Sequence, residues 1–537
     1  MFKDWLNLLL YVTVFAPLAG TAFVLLLRSY LAKYVAMTFA SLPLIVGAGL
    51  YALYTFSPDS AQFMERDFLF YYEAMWFSVP NVDIKFMMGI DGISAYMLLL
   101  TGLIFPTLVV YAWNKEFRHR KLYYAMLLMM QTGILGFFLS LDLLMVYFFF
   151  EMVLIPASFF IGIWGRAKRE EAAMKFFLYT LVGSLLMLIA IIYLALNTVE
   201  GILTTDYFAI RNALVSGDNP AFTLDIQRWI FLGFALSFAI KVPLFPLHTW
   251  QPLTYSTAST TGSVVLAALL SKMGVYGFIR FCLPLFPQTA IEFAPYISVL
   301  AVISIIYGAY LAVVQTDLKK LIAYASLSHL GFIVLGIFSL SPEAMSGAVL
   351  QMVAHGIATA ALFLLAGMLY ERYKTRDIRS FQGLAGVAPR FALLLMISVM
   401  AAVGLPGLSG FVGEFLILLG SFKSGVISGT FAVLAAIGVV IAAVYLINMF
   451  RRIMFGQAEG EAAVKMRDLS RVEMAVVMPL IALMFLIGIY ASPFLGNINK
   501  GTNRVVAWVE TYTAPETVAP LTESDVVIEA EVENAVN

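Results

Sequence analysis

The chain has 537 residues, of which 61% are hydrophobic and only 12% are charged. A soluble domain carries about twice that charged fraction, because polar groups must cover its surface. The 33 Lys and Arg residues balance 33 Asp and Glu residues, so the net charge gives no sign of nucleic-acid binding. This composition is typical of an integral membrane protein.

Sequence features also argue against a resident cofactor. The single cysteine, Cys282, excludes an intrachain disulfide and an iron–sulfur cluster held by cysteines alone. The four histidines lack the close spacing of a metal site, and neither a GxGxxG nor a GxxxxGK motif is present. We therefore expect no metal and no cofactor in this chain. Residues 1–27 lack a cleavage signature, so we interpret them as a retained first helix and not as a signal peptide.

About fourteen apolar segments are long enough to cross a bilayer, since a spanning helix needs about 20 mainly apolar residues. We therefore predict an all-α polytopic membrane protein of about 14 transmembrane helices, here called spans 1 to 14. Their approximate centres are Phe15, Ile45, Leu100, Met130, Leu154, Met187, Ala235, Leu266, Ile305, Leu330, Leu362, Leu405, Val440 and Leu483.

The spans divide the chain into five predicted regions. Residues 1–120 hold spans 1–3 and an external loop at 57–85, residues 121–282 hold spans 4–8, residues 292–453 hold spans 9–13, residues 471–495 hold span 14, and residues 511–537 form an acidic tail. The tail has no Lys or Arg and is predicted to be disordered. A second long external loop is predicted at 199–227.

The positive charges predict the orientation. Roughly two thirds of the 33 Lys and Arg residues lie in one set of alternate loops, which includes Arg118, Arg169, Lys319, Lys320, Arg376 and Arg451. The positive-inside rule makes that side cytoplasmic, and fourteen spans then place both termini outside.

Two spans contain helix-breaking clusters at mid-membrane depth: residues 241–248, KVPLFPLH, in span 7 and residues 404–410, GLPGLSG, in span 12. Each proline frees the carbonyl four residues earlier, and we expect those of Ala239, Val242 and Ala402 to be free. Such groups are tolerated in a membrane only where protein or water satisfies them. The breaks are five spans apart, which predicts two inverted five-helix repeats, spans 4–8 and 9–13. A single break would favour an ordinary proline kink, but two in corresponding places favour function.

Ionisable residues inside predicted spans are the candidate functional groups, because a charge at the bilayer centre costs at least about 2.5–3.5 kcal/mol. Glu151 lies in the apolar string YFFFEMVLIP, and Lys241 directly precedes the first break. Lys272 lies about mid-span beside Gly274 and Gly277, which allow close helix packing. A protonated structural Glu151 and lysines that reach the interface are the alternatives. We predict that Glu151 and Lys241 lie side by side, both buried.

Three further candidates lie in the second half of the chain. His329 follows Ser326 on span 10, and His355 belongs to a polar stripe with Gln351 and Thr359 at four-residue spacing on span 11. A single membrane histidine is as often a packing residue, but the stripe indicates a hydrated polar track. Glu414 follows the second break and is interpreted as a proton site, with capping of freed backbone donors as the alternative. His248 lies near a helix end and is interpreted as structural.

At these residues the sequence resembles the antiporter-like membrane subunits of respiratory complex I, which are related to subunits of multisubunit cation/proton antiporters. The matching strings are FFFEMVLIPASFFIGIWG, KVPLFPLHTW, GSVVLAALLSKMGVYGFIRF, DLKKLIAYASLSHLGF, QMVAHGIATAALFLLAG and LPGLSGFVGEFLILLGSF. One branch of this family has glutamate in span 12 where its sister chains usually have lysine, so Glu414 indicates the glutamate branch. The family's Asp, His and Glu in the string GWLPDAHTEAPTAGS are absent here, where residues 249–260 read TWQPLTYSTAST.

The resemblance implies a proton-translocating subunit of an NADH:quinone oxidoreductase. It implies that flavin, iron–sulfur clusters and quinone are bound by partner subunits, that neighbouring membrane subunits and lipids surround the chain, and that the location is a bacterial cytoplasmic membrane. Glu151 and Lys241 would form a switchable ion pair, Lys272, His329 and His355 would carry protons along the midplane, and Glu414 would pass them to the exit. The alternatives are a subunit of a Na⁺/H⁺ antiporter or of a membrane-bound hydrogenase.

Overall fold

The computed structural model describes residues 2–56, 64–456 and 467–513. Within them, twelve helices are long and apolar enough to cross a membrane. They are Phe2–Leu26 (span 1), Ala32–Phe56 (span 2), Ser94–Ala112 (span 3), Arg120–Leu139 (span 4), Leu143–Gly162 (span 5), Arg169–Asn197 (span 6), Thr260–Leu285 (span 8), Pro287–Val313 (span 9), Leu318–Phe338 (span 10), Pro342–Tyr373 (span 11), Thr430–Met454 (span 13) and Arg471–Ile489 (span 14). The predicted polytopic helical fold is confirmed.

The two remaining predicted spans are the broken ones. Span 7 consists of Leu224–Lys241, which carries three charged residues, and then Gln251–Thr257. Span 12 consists of two shorter apolar helices, Pro389–Val403 and Ser409–Phe422. Of the fourteen predicted centres, all lie in helices except Leu405, which lies in the second break.

The two predicted external loops contain β-structure and contact each other. An antiparallel hairpin is formed by β2, Phe68–Val79, and β3, Val82–Ile90, with the short strand β1, Met64–Glu65, at its edge; β4, Leu203–Thr204, pairs in parallel with β3. Residues 57–63 lie outside the described part. A helix at Tyr207–Val215 completes the second loop. Both regions therefore lie on one face of the molecule, which we call the outer face.

The basic loops meet at the opposite face. The indole Nε1 of Trp164 donates to the carbonyl of Arg118 at 2.8 Å, so the loops after spans 3 and 5 are in contact. Arg372 binds Glu473 through two hydrogen bonds of 2.8 Å each, which joins span 11 to span 14. Alternate loops therefore share a face, as the charge pattern predicted.

A terminal helix, Ser492–Thr511, follows span 14 and was not predicted. It lies across the outer face. Asn497 donates to the hydroxyl of Tyr51 at 3.1 Å, the hydroxyls of Thr502 and Ser346 are 2.7 Å apart, and Trp508 donates to the carbonyl of Pro284 at 2.9 Å. The predicted acidic tail begins within this helix, and its residues from 514 onward lie outside the described part.

Burial is concentrated in the middle of the bundle. Spans 8 and 11 are buried throughout their most apolar windows and span 10 nearly so, whereas spans 13 and 14 expose most of theirs. The ionisable side chains in the middle of these spans, Lys272, His329 and His355, are therefore enclosed by protein. Half of the six candidate residues lie on these three spans.

Candidate functional site

One of the carbonyls freed at the first break is satisfied within the break. Span 7 stops at Lys241, and helix resumes at Gln251–Thr257. The carbonyl of Ala239, which Pro243 was predicted to free, accepts a hydrogen bond from the N–H of Leu244 at 2.8 Å. A protein donor thus replaces the lost helical one, as is required at membrane depth.

Lys241 is enclosed where spans 5, 7 and 8 meet. It is 2% exposed, and its ammonium lies over the ring of Phe150 at 4.0 Å from the centroid. Span 8 packs closely here, because a Cβ on Gly274 would lie 2.7 Å from the carbonyl oxygen of Phe238 and one on Gly277 would lie 2.4 Å from its ring. The predicted role of these glycines in close packing is confirmed by this geometry.

Glu151 differs from the expectation. It is only partly buried and lies between Phe148 and Ile155, which are 51% and 50% exposed. Its carboxylate is close enough to act electrostatically on Lys241. Among the ion pairs of the described residues, however, none joins the two within 4.0 Å, and the ammonium instead faces Phe150. The expected contact between two buried side chains is therefore not present in this state.

Lys272 is fully buried on span 8, between two π-helical segments, Leu266–Leu270 and Phe278–Cys282. π-helical turns are frequent at functional sites. Its ammonium donates to the carbonyl of Ala267 at 2.7 Å and to the hydroxyl of Ser271 at 3.3 Å. These partners are neutral, so they hold the side chain without fixing its charge.

A continuous line of buried side chains starts at Lys272. Its Nζ lies 2.6 Å from Nδ1 of His355, and the imidazole rings of His355 and His329 are 5.7 Å apart between centroids. Nδ1 of His329 lies 2.8 Å from Oε1 of Glu414. None of the four is more than 5% exposed. The structure thus brings together four of the six predicted site residues, one each from spans 8, 11, 10 and 12.

Glu414 is held at the second break. Its Oε1 also accepts a hydrogen bond from Nε2 of Gln351 at 2.9 Å. Its Oε2 lies against the backbone of Gly404, where an added Cβ would be 2.9 Å away. Gly404 has φ +83° and Gly407 has φ +91°, conformations that favour glycine. The GLPG sequence therefore provides both the break and the space for the carboxylate.

A small cavity lies beside the two histidines. It has about 20 Å³ of space for water, and four of its lining residues carry a buried polar atom without a hydrogen-bond partner in the described structure: Ser326 Oγ, His329 Nε2, Gln351 Oε1 and His355 Nε2. A polar cavity needs about 10–15 Å³ to hold one water. Thr359 also lines it, so the predicted polar stripe on span 11 forms one wall. We expect water here, because it would satisfy these groups.

One buried lysine was missed. Lys319 was assigned to a cytoplasmic loop, but it is 2% exposed, and its ammonium donates to the hydroxyl of Ser263 at 2.9 Å and the carbonyl of Ala258 at 3.0 Å. It lies in the first turn of span 10, seven residues before Ser326. This helical spacing was the signal that could have placed it on the inward face.

A buried ion pair was also missed. Asp91 and Arg280 are 6% and 4% exposed and hydrogen-bonded to each other. Asp91 also accepts bonds from the N–H groups of Ile93 and Ser94 at 3.0 and 2.8 Å, at the start of span 3. Burial alone would raise the pKa of Asp91, but the guanidinium and these donors hold that pKa below its ordinary value. Hydropathy placed Arg280 in span 8 but indicated no partner for it.

The segment that departs from the expected loop sequence is anchored by neutral groups. Gln251 donates from Nε2 to the carbonyl of Ala323 at 2.9 Å, and the hydroxyl of Tyr255 donates to the carbonyl of Leu266 at 2.9 Å. The helix that follows the first break is therefore tied to spans 8 and 10 without a carboxylate.

Two broken helices around an enclosed line of lysine, histidine and glutamate define a class of polytopic membrane protein built to move ions. The family described as NADH:quinone oxidoreductase/Mrp antiporter, TM, matches residues 140–442. The chain belongs to this family.

Relatives of known identity match most of the chain. NADH-quinone oxidoreductase subunit M of Rhodobacter capsulatus is 38% identical over 501 residues, which cover 90% of this chain and 93% of that protein. NADH-ubiquinone oxidoreductase chain 4 of Chondrus crispus is 40% identical over 426 residues, which cover 79% and 83%. The resemblance seen in the sequence, including the branch indicated by Glu414, is confirmed.

Solved structures agree with the fold. Respiratory complex I from Thermus thermophilus contains a chain that matches with a TM-score of 0.80 at 32% identity, covering 93% of this chain and 99% of that one. The Mrp complex from Dietzia sp. DQ12-45-1b matches with a TM-score of 0.76 at 19% identity, covering 95% and 99%. The second likeness concerns the fold alone.

Proposed function

We propose that this chain translocates protons as an antiporter-like membrane subunit of an NADH:quinone oxidoreductase. The observation that carries the proposal is the buried line from Lys272 through His355 and His329 to Glu414. Side chains of these types inside a membrane are costly and mark ion or proton paths. Each of the four can take and release a proton, which a structural core residue need not do.

The two nitrogens of each histidine suit a relay. Nδ1 of His355 faces Lys272, and Nδ1 of His329 faces Glu414, while both Nε2 atoms belong to residues lining the cavity described above. A proton from the Lys272 ammonium enters at Nδ1 of His355, and a different proton leaves from its Nε2. One water in the cavity connects that atom to Nε2 of His329, and His329 then protonates Glu414. Each imidazole thereby changes from one tautomer to the other, and the first tautomer must be restored before the next proton can pass.

Glu151 and Lys241 control the start of this line. The carboxylate of Glu151 stabilises the charged ammonium of Lys241. When the carboxylate moves away, Lys241 releases its proton more readily. Because Glu151 is partly exposed on the surface of span 5, its charge can respond to an adjacent membrane subunit.

We assign residues 121–282 to the first inverted repeat and residues 292–453 to the second. Lys241 and Lys272 then belong to the first repeat, and His329, His355 and Glu414 belong to the second.

The redox chemistry belongs to partner subunits, which bind the flavin, iron–sulfur clusters and quinone. Neighbouring membrane subunits and lipids cover exposed apolar side chains such as Phe148, Ile155 and Trp229. The location is the bacterial cytoplasmic membrane. The basic loops face the cytoplasm, and both termini face the outer compartment.

A sodium/proton antiporter subunit is the second candidate function, favoured by the likeness of fold to the Mrp complex. The two candidate functions differ in what drives transport. A subunit of the oxidoreductase moves protons only when its assembled complex oxidises NADH, whereas an antiporter exchanges sodium for protons without electron transfer.

The test uses the purified complex that contains this chain, reconstituted in vesicles with a pH-sensitive dye. NADH and quinone should drive proton uptake in sodium-free buffer, and Glu414→Gln should lower the proton yield per electron while the complex stays assembled. Spectra should assign flavin and iron to the complex and not to this chain alone. Sodium-dependent proton exchange without NADH, unaffected by quinone, would contradict the proposal and support the antiporter.

A further inference from the structure

Span 8 carries a second polar route that points away from the relay. Tyr276 and Arg280 follow Lys272 at four-residue intervals, so the three side chains lie roughly along one side of the helix. All three are buried. At about 1.5 Å of rise per residue, the backbone of Arg280 is about 12 Å from that of Lys272, towards the outer face.

A polar cavity of about 60 Å³ lies at the outer end of this route. Its ionisable lining residues are Asp67, Asp91, Tyr207, Arg211, Arg280 and Arg504. A polar cavity of this size has room for several waters. The outer compartment is therefore separated from Lys272 by little more than the two residues Tyr276 and Arg280. A proton released outward here would bypass His355, His329 and Glu414.

The groups between the cavity and Lys272 are arranged so that they cannot carry a proton. Arg280 is a permanent cation with donors only, so it has no site that accepts one. The hydroxyl of Tyr276 accepts a hydrogen bond from Nε of Arg280 at 3.0 Å and donates to the carbonyl of Phe138 at 2.8 Å. Its donor is directed to a carbonyl on span 4 and not along span 8.

The position of the cation is fixed. Arg280 is bonded to Asp91, and the carboxylate of Asp91 is fixed in turn by the backbone donors of Ile93 and Ser94. The guanidinium also lies over the ring of Phe68 at 4.8 Å. A fixed positive charge in a narrow path repels protons and other cations, as arginine does in water-selective pores. A buried ion pair often adds little net stability, because removing two charges from water is costly. Stability alone therefore does not explain this pair.

We propose that the Asp91–Arg280 pair is a proton barrier, which closes the outer end of span 8 and directs protons on Lys272 towards His355. This barrier rests on the proposed function, since it needs Lys272 to be a proton carrier. It makes Arg280 and Asp91 positioning residues for transport, not members of the relay.

The test is passive proton entry into vesicles that hold the complete complex without NADH. The variant is Asp91→Asn combined with Arg280→Gln, which removes both charges and leaves neither one buried alone. An acid pulse outside should acidify the lumen several-fold faster than in wild type when the outer face of the chain is exposed to the pulse. Arg211→Gln is the matched control, because Arg211 lines the same cavity and stacks on Trp508 at 3.9 Å, away from Lys272.

Adding Lys272→Met to the double variant separates a specific leak from a damaged fold. The leak should return to the wild-type rate, because the carrier inside the barrier is gone. An assembled double variant as tight as wild type would overturn the barrier, and so would a leak that persists with Lys272→Met. The failure of the proposed function is a different result, namely full NADH-driven pumping by Lys272→Met alone. If the double variant does not assemble, Arg280→Gln alone supplies the same two readouts.

Discussion

Nζ of Lys272 lies 2.6 Å from Nδ1 of His355, although the two residues are 83 positions apart and belong to spans 8 and 11. Lys272 closes the first predicted repeat, and His355 lies in the middle of the second. In the proposed function both repeats are therefore needed for one proton path, because neither predicted repeat contains the whole line of lysine, histidine and glutamate.

Replacement of Lys272 by Arg should block transport as severely as replacement by Met. Arginine keeps the charge but cannot give up its proton near neutral pH, whereas methionine has no proton to give. Either variant should lower the rate of proton transfer through this chain at least about tenfold, a change that corresponds to only ~1.4 kcal/mol in a barrier. Proton uptake by vesicles during NADH oxidation measures this. A pumping Lys272→Arg complex would show that charge suffices and that Lys272 releases no proton.

Gly404→Ala should impair transport through Glu414. Alanine at φ +83° costs about 1–2 kcal/mol, and its Cβ would lie 2.9 Å from Oε2 of Glu414. The carboxylate must then shift away from His329. Gly407→Ala is the matched control, since Gly407 also has positive φ but an added Cβ there meets nothing within 4 Å. Equal pumping rates for the two assembled variants would contradict this role of Gly404.

Glu151→Gln should lower pumping strongly while the complex still assembles, because glutamine keeps the shape of the side chain but not its charge. Partial recovery is expected when a carboxylate is supplied one helical turn away, by Tyr147→Glu in the Glu151→Gln background. Proton uptake and assembly are measured separately. Full pumping by an assembled Glu151→Gln complex would leave Glu151 with a structural role only.

Asp142→Asn should stabilise the protein at alkaline pH. Asp142 lies between spans 4 and 5, where burial raises its pKa to about 7. The native state therefore binds an extra proton between about pH 4 and pH 7, and wild-type stability falls as pH rises through this window. Asparagine can still accept the bonds that Asp142 accepts from Leu144 and Met145.

The measurement is the unfolding temperature of the purified protein in detergent at about pH 5 and about pH 8.5. The gain from Asp142→Asn should be larger at the higher pH. Asp317→Asn is the control, because Asp317 also caps a helix but its side chain is 25% exposed and faces Arg376. A gain of equal size at both pH values would rule out titration of Asp142 as its cause.

The orientation is tested by single cysteines in a background without Cys282. Cysteines at positions 118, 169 and 376 should react only with reagents that reach the cytoplasmic face, and one at position 537 only from outside. The reason is the excess of Lys and Arg in the loops that contain the first three positions. Labelling of position 169 by an impermeant reagent from the outside would reverse the assigned topology.

Hydropathy predicted the spans well because a membrane helix satisfies its backbone internally, and its length is set by the bilayer. The breaks followed from the proline and glycine clusters, and the stripe of Gln351, His355 and Thr359 followed from helical spacing. These features are local in sequence. The same reasoning identified Lys272 and Glu414, since charges in apolar strings stand out.

Contacts between distant segments could not be predicted in this way. The Asp91–Arg280 pair joins residues 189 positions apart, and Asp91 lies just before a span, where an acidic residue is an ordinary helix cap. The strands of the outer face pair across more than 100 residues. The expected contact between Glu151 and Lys241 is not present. Sequence indicates how deep a residue lies in the membrane, but not which side of its helix is covered by neighbouring helices.

The terminal helix, Ser492–Thr511, constrains the order in which the protein matures. It is bonded to Tyr51, Ser346 and Pro284, which belong to the early, late and middle parts of the chain. Synthesis runs from the N-terminus, so these contacts form only after all the spans have been made. Asp91 and Arg280 are covered on the outer side by this same helix, whose Gly501 and Val505 line their cavity. The outer surface therefore closes last during biogenesis, and a chain truncated before Ser492 would insert its spans without a finished cover.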